Sequence, residues 1–279
     1  MRRVLLAVSL VVPAIGAASD GAAQSAEIAE AARSAEIVVL GEIHDNPDHH
    51  RTQAEIVAAL QPAALVFEMI PQQFEDEVNR LRAAGASREQ IAEALDWDDS
   101  GWPDFDMYAP IMEAAPEARI FGGGQPTAEV RRAMLEGAAG VFGPDAEKYG
   151  LDQPLPPEEM AAREDLMRAA HCGGVPAEML PGLVEAQRFR DAGLADAALW
   201  ARTMAGGGPV VVIAGTGHAD KHRGMPALVA VAEPDVRVFA LAQVESAPDD
   251  AEDNAFDAVA VAAPPDRDDP CAAFVAPGG

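Results

Sequence analysis

The sequence predicts an α/β protein: a mostly parallel sheet flanked by helices, with a helical insertion in the middle of the chain. Three observations predict it. Short β-branched runs alternate with longer amphipathic stretches, as strands alternate with crossover helices. One long region, from about Ala128 to Gly206, carries helical patterns and no convincing strand. Finally, two Gly-x-x-His sequences, Gly41–His44 and Gly215–His218, each follow a predicted strand, where open parallel sheets place their ligands.

The elements follow in order. Arg2 and Arg3, an apolar run from Val4 to Ala14 and small residues through Ala23 have the order of a secretory leader. The run is too short to span a bilayer, and no later stretch is long and apolar enough to do so. Residues 1–23 are therefore expected to be a signal peptide, cut after Ala18 or Ala23, with no transmembrane segment once it is gone. The α/β domain is expected over 24–262. Ile37–Leu40 is its first strand, and His49–Leu60 a helix with Ile56, Val57 and Leu60 on one face. Leu65–Phe67 and Arg119–Phe121 are the second and third strands. Over about 128–206 the helical patterns are broken at Gly143-Pro144, Pro154 to Pro157 and Gly173-Gly174, as a helical subdomain would be. Val210–Ala214, Val236–Ala242 and Phe256–Ala262 complete the strands, the last at an edge. Residues 263–279, rich in proline, aspartate and glycine, are expected to be a disordered tail.

Composition narrows the function. Against 46 acidic side chains stand 20 basic ones, a net charge of −26, which repels nucleic acid and anionic headgroups. Nucleic-acid binding is therefore not expected. Two cysteines, Cys172 and Cys271, leave open a disulfide or a pair of small buried hydrophobes. There is no Cys-x-x-Cys-His haem attachment sequence and no His-Glu-x-x-His zinc helix.

The chemistry is concentrated in the histidines. Of six, five lie in two clusters: His44, His49 and His50, then His218 and His222. In GEIHDNPDHH, Glu42 and His44 are two apart and so leave an extended strand end on one side. Asn46-Pro47 reads as N-cap and first helical residue, beside an N-terminus that favours anions. In AGTGHADKHRG, Gly215 and Gly217 permit positive φ and close approach, and Lys221, His222 and Arg223 form one of the few basic clusters. Glu68 ends an apolar strand, where a carboxylate needs a partner or a cation. Glu42, His44, Glu68 and His218 together would suit a divalent metal or acid–base work. Asp96–Gly101 imitates half an EF-hand loop, but Met107 stands where the closing glutamate would be, so calcium is not expected. The nearby Trp97, Trp102, Phe105 and Tyr108 fit core packing or, more rarely, the lining of a flat ligand.

Five segments resemble the ChaN-type haem-binding proteins of the Tiki/TraB group: VVLGEIHDNPDHH, LVFEM, WPDFDMYAPI, AQRFRDAGLADAAL and VVVIAGTGHADKHRGMPALV. They run from about residue 36 to 245. The resemblance implies a bacterial envelope protein of haem or iron uptake, pairing as a homodimer around two stacked haems. Tyrosine and histidine are the implied iron environment, which makes Tyr108 the expected ligand, with His44 and His218 nearby. Lys221 and Arg223 would supply a positive patch for the propionates. The leader has no cysteine to carry lipid, so a soluble periplasmic protein is expected. The wider group also implies an alternative, a metal-dependent hydrolase. In it His44, Glu68 and His218 would hold the metal and Glu42 would activate a water. A third alternative is an envelope interaction module that binds neither.

Overall fold

The computed structural model describes residues 21–206, 208–247, 254–269 and 271–272. The expected leader lies outside the described residues up to position 20; Gly21 to Ala23 open the first helix. Among the described residues six strands form one sheet: β1 (Ile37–Glu42), β2 (Ala64–Pro71), β3 (Arg119–Gly124), β4 (Val210–Gly215), β5 (Val238–Val244) and β6 (Ala258–Val261). Their order is β3-β2-β4-β1-β5-β6, and every neighbouring pair is parallel. β1 and β2 run further than the hydrophobic runs suggested, to Glu42 and Pro71, because pairing with β4 and β3 continues past the apolar residues. β5 starts two residues later than expected, since Val236 is taken by a turn to the Glu233 carbonyl.

Among the described residues eleven α-helices accompany the sheet. They are α1 (Gly21–Ala32), α2 (Pro47–Leu60), α3 (Glu75–Ala83), α4 (Arg88–Ala94), α5 (Phe105–Ala114), α6 (Thr127–Glu136), α7 (Ala138–Phe142), α8 (Pro157–Ala170), α9 (Leu180–Met204), α10 (Thr216–Ala219) and α11 (Met225–Ala232). Parallel strands covered on both faces are apolar at every position, and β1 is buried at all six. Its alternation still separates two cores. Val38 and Leu40 join the layer of α1, α2 and α5, while Ile37 and Val39 join that of α6, α9 and α11. The strand-free middle of the chain is thus no separate body: α9 covers the sheet with Phe189, Leu194, Ala195 and Leu199.

The carboxyl ends of β1, β2 and β4 lie side by side, which sets the site. β1 pairs Glu42 with Gly215 of β4, and β2 pairs Phe67 with Ile213. The chain leaves β1 toward β2 on one side while β5 lies on the other, so the crevice of a doubly wound sheet opens here.

The chain after β6 is not a free tail over its described part. Asn46 donates to the Ala263 carbonyl at 3.0 Å, and Arg267 pairs with both Asp45 and Glu245. Cys271 is bonded to Cys172 across a separation of 99 residues. Proline and aspartate mark this segment as unable to build its own core, but the remote cysteine and arginine partners hold it in place. Replacing both cysteines with serine is expected to lower unfolding free energy by about 2–4 kcal/mol, read as an earlier urea midpoint. An unchanged midpoint would show that the strap adds no stability.

Candidate functional site

Gly41 and Gly215 are required by proximity and not by positive φ, which neither glycine adopts. A Cβ on Gly41 would stand 2.8 Å from the Leu241 carbonyl oxygen and from Thr216 Cα. One on Gly215 would stand 3.0 Å from Nε2 of His44. The two Gly-x-x-His sequences therefore pack against each other, each glycine admitting the other loop.

Helix α2 grips the first loop. Asn46 caps it by accepting from the Asp48 amide at 3.0 Å, with Pro47 first in the helix. His49 Nδ1 accepts from the Ile43 amide at 2.9 Å. His50 Nε2 lies 2.8 Å from the His44 carbonyl and donates to it. Both histidines are buried, so they shape the loop and leave its chemistry to Glu42 and His44.

Glu42 is a buried carboxylate with unequal oxygens. Oε1 accepts from His44 Nδ1 at 2.9 Å and from the Tyr108 hydroxyl at 3.1 Å. Oε2 is buried without a hydrogen bond, 3.5 Å from His50 Nδ1. The His44 side chain is 33% exposed, and its ring meets the edge of Trp102 at 4.8 Å between centroids. Among the described residues its Nε2 has no hydrogen bond, and it lies 3.9 Å from Glu68. Burial alone would lower the His44 pKa, but the Glu42 hydrogen bond and the Glu68 and Glu42 charges outweigh it and raise it.

Glu68, His218 and Asp191 form a second, closed chain. Glu68 Oε2 accepts from the Gly215 amide at 2.8 Å, and Oε1 faces His218 Nε2 at 3.1 Å. His218 Nδ1 donates to Asp191 at 2.6 Å. Burial would lower His218, but the two carboxylates push its pKa up to about 10. For Glu68, burial is outweighed by the His218 charge and hydrogen bond, and it is held well below the usual carboxylate range. Asp191 is raised by its complete burial, against the pull of His218. The partners move in opposite senses around one proton, and we assign that proton to His218 because two carboxylates flank it.

The sign of the pH effect follows. A raised histidine stabilises fully below its unfolded value of 6.5 and loses that contribution as pH rises toward 10. Thermal stability is expected to fall by a few kcal/mol across that window, while the imidazole nitrogen resonances keep His218 doubly protonated at pH 8. A His218 that titrates near 6.5 would contradict the pairing.

The remaining expected residues separate. Tyr108 does not present an oxygen to a ligand: it is wholly buried, donates to Glu42 and packs edge-on against His50. Its depth raises its pKa far above the phenol value, with the Glu42 charge adding to it. Lys221 pairs with Asp257 at 2.5 Å and Arg223 with Glu159 at 3.3 Å, so the expected patch is neutralised. His44, Glu68 and His218 do not surround a metal position, for Glu68 and His218 are spent on each other and on Gly215 and Asp191. Among the described residues no three His, Cys, Asp or Glu side chains are placed to hold a metal ion.

Sequence reasoning missed Asp191 and Arg190 of α9. Asp191 carried a signal, since Val184, Arg188, Asp191, Ala195 and Ala198 form one buried helical stripe. A charge on such a stripe implies a partner. Beside Glu68 opens a cleft of about 420 Å³, lined by Trp102, Leu194, Thr127 and Arg190 among others.

The family model described as "Haem-binding uptake, Tiki superfamily, ChaN" matches residues 28–229. A solved structure, "Cofacial heme binding to ChaN of Campylobacter jejuni", is similar at 20% identity and a TM-score of 0.61, covering 80% of this chain and 86% of that one. A structure of the type III effector HopBA1 is 13% identical, covering 78% of this chain and 82% of that one, at a TM-score of 0.43. The first likeness shows the fold; the second is too distant to support an argument. No curated protein matches.

Proposed function

The chain belongs to the ChaN family of haem-binding uptake proteins in the Tiki superfamily, and from that premise we propose that it binds haem through His44 in a route of haem or iron uptake. The observation that carries the reading is the state of the His44 ring. Its Nδ1 is fixed by Glu42, while Nε2 is unbonded on a partly exposed side chain next to Trp102 and Glu68, two residues that line the cleft. Carboxylates commonly orient iron- and zinc-ligating histidines in this way, setting the tautomer and the ring's direction. His218 lacks this freedom, because both its nitrogens face carboxylates. Tyr108 acts one step behind, holding the Glu42 oxygen that holds His44.

The residues present fit the group. Haem would supply an iron for the free His44 nitrogen to bind, and Trp102 beside His44 would supply an apolar wall. The cleft is at the low end of small-molecule sites, which run from about 300 to 1,000 Å³, so part of a macrocycle would stand outside it. The Campylobacter jejuni protein shows cofacial heme binding, and a homodimer of this chain would bring two such haems together. The basic start and apolar run support export to the periplasm. The Cys172–Cys271 bond agrees with an oxidising compartment.

Titration of purified protein with hemin, followed in the Soret band, tests this. Saturation at one haem per chain is expected, without a tyrosinate charge-transfer band. Split Soret circular dichroism and a doubled sedimentation mass would mark stacked haems in a dimer. A titration with no saturable shift would reject haem binding. Amino-terminal sequencing of the exported protein tests the leader, with cleavage after Ala18 or Ala23 expected.

A further inference from the structure

We propose that Arg190, with the start of α6, forms the carboxylate-binding pole of the cleft beside Glu68, and that the carboxylate it takes is a porphyrin propionate. The second half rests on the haem reading; the first stands on the cleft itself.

Arg190 is the one cation among the residues that line this cleft. Its Nη2 donates to Gln187 Oε1 at 2.6 Å, and its Nε is buried with no partner. It forms no ion pair among the described residues, unlike Lys221 and Arg223, which are each matched by one acid. A guanidinium that lines a cleft with no carboxylate partner is a ready donor for a planar anion. Gln187 also lies 3.0 Å from His218 Nδ1, so the same amide steadies Arg190 and touches the buried ion pair.

The helix start adds a second, independent set of donors. Pro126 occupies the N-cap of α6 and no side chain caps it. Pro126 and Thr127 line the same cleft as Arg190. The Glu129 amide bonds to the Pro126 carbonyl at 2.9 Å, and the Thr127 and Ala128 amides, which have no acceptor among the described residues, favour an anion. Trp102 and Leu194 give the cleft an apolar face for a ring system. Asp96, Asp99 and Glu68 line it too. Glu68 is offset by His218, and the other two oppose an anion, so admission of a carboxylate depends on Arg190.

The test compares hemin with hemin dimethyl ester, whose propionates carry no charge, by Soret titration of the full chain at fixed salt. Wild type is expected to bind hemin about ten-fold or more tighter than the ester. Arg190→Gln should remove that preference while leaving ester affinity and band positions unchanged, and Arg190→Lys should restore part of it. Equal affinity of wild type for hemin and ester overturns the proposal, and this arm needs no variant to fold. A preference that survives Arg190→Gln overturns it as well. Failure of both ligands to bind tells against the haem reading instead. Calorimetry with benzoate then decides the remainder: binding lost in Arg190→Gln upholds a carboxylate pole fed by a free acid, and no binding overturns it.

Discussion

His44→Ala is expected to weaken hemin binding by more than about 100-fold, since altering groups that merely orient a metal ligand already costs about 10- to 100-fold. The Soret shift at stoichiometric hemin should vanish with it. In the proposed reading the loss falls on His44 because of how its two ring nitrogens are placed. His44 has one ring nitrogen committed to Glu42 and the other without a bond. His218 is bonded at both sides, and the Tyr108 oxygen lies in the core. Tyr108→Phe is therefore the informative control. It removes a donor to Glu42 and should reduce affinity by about ten-fold or less, within the range for orienting groups, with band positions retained. If Tyr108→Phe abolishes binding and His44→Ala does not, the assignment is reversed.

His218→Leu is expected to destabilise the fold by about 3–5 kcal/mol, the usual result of leaving buried charge uncompensated. At about 2–4 °C per kcal/mol for a chain of this size, the melting midpoint should fall by roughly 10 °C. The variant leaves Glu68 and Asp191 facing each other across an apolar gap, with side chains 9% and 1% exposed. Two such carboxylates protonate as pH falls, so the deficit against wild type should shrink toward pH 5, peak near pH 7, and shrink again toward pH 10 as wild type loses the His218 proton. Adding Glu68→Gln and Asp191→Asn to His218→Leu should recover much of the loss. A His218→Leu protein as stable as wild type at pH 8 would mean the three groups are not an ion-paired unit.

Much of this site was legible because its signals are local or topological. The Asn46-Pro47 helix start, an acid in an apolar strand at Glu68 and the paired Gly-x-x-His loops required only the strand pattern and the rule for parallel sheets, although β2 runs past Glu68 to Pro71. What was not legible depended on depth and distant partners. Tyr108 lies with Phe105, Ala109 and Met112 on the buried side of α5, and a family likeness conveys residue type without conveying depth. Lys221 and Arg223 look like a basic patch until Asp257 and Glu159 arrive from elsewhere in the chain. Arg190 and Asp191 are adjacent in sequence but serve opposite ends of the site: one lines the cleft, the other is sealed beneath it.

The strap from β6 to Cys271 has a practical corollary. Asp45 and Asn46, next to His44, are held by Arg267 and by the Ala263 carbonyl, and the far end of that segment is anchored at Cys172. Thiol state is thereby an experimental variable of the binding loop. Protein purified in reductant and protein purified in air are two different reagents, and ligand constants from one do not transfer to the other. A carboxy-terminal deletion reaching position 267 would unfasten the same loop, so domain trimming is best halted beyond Cys271.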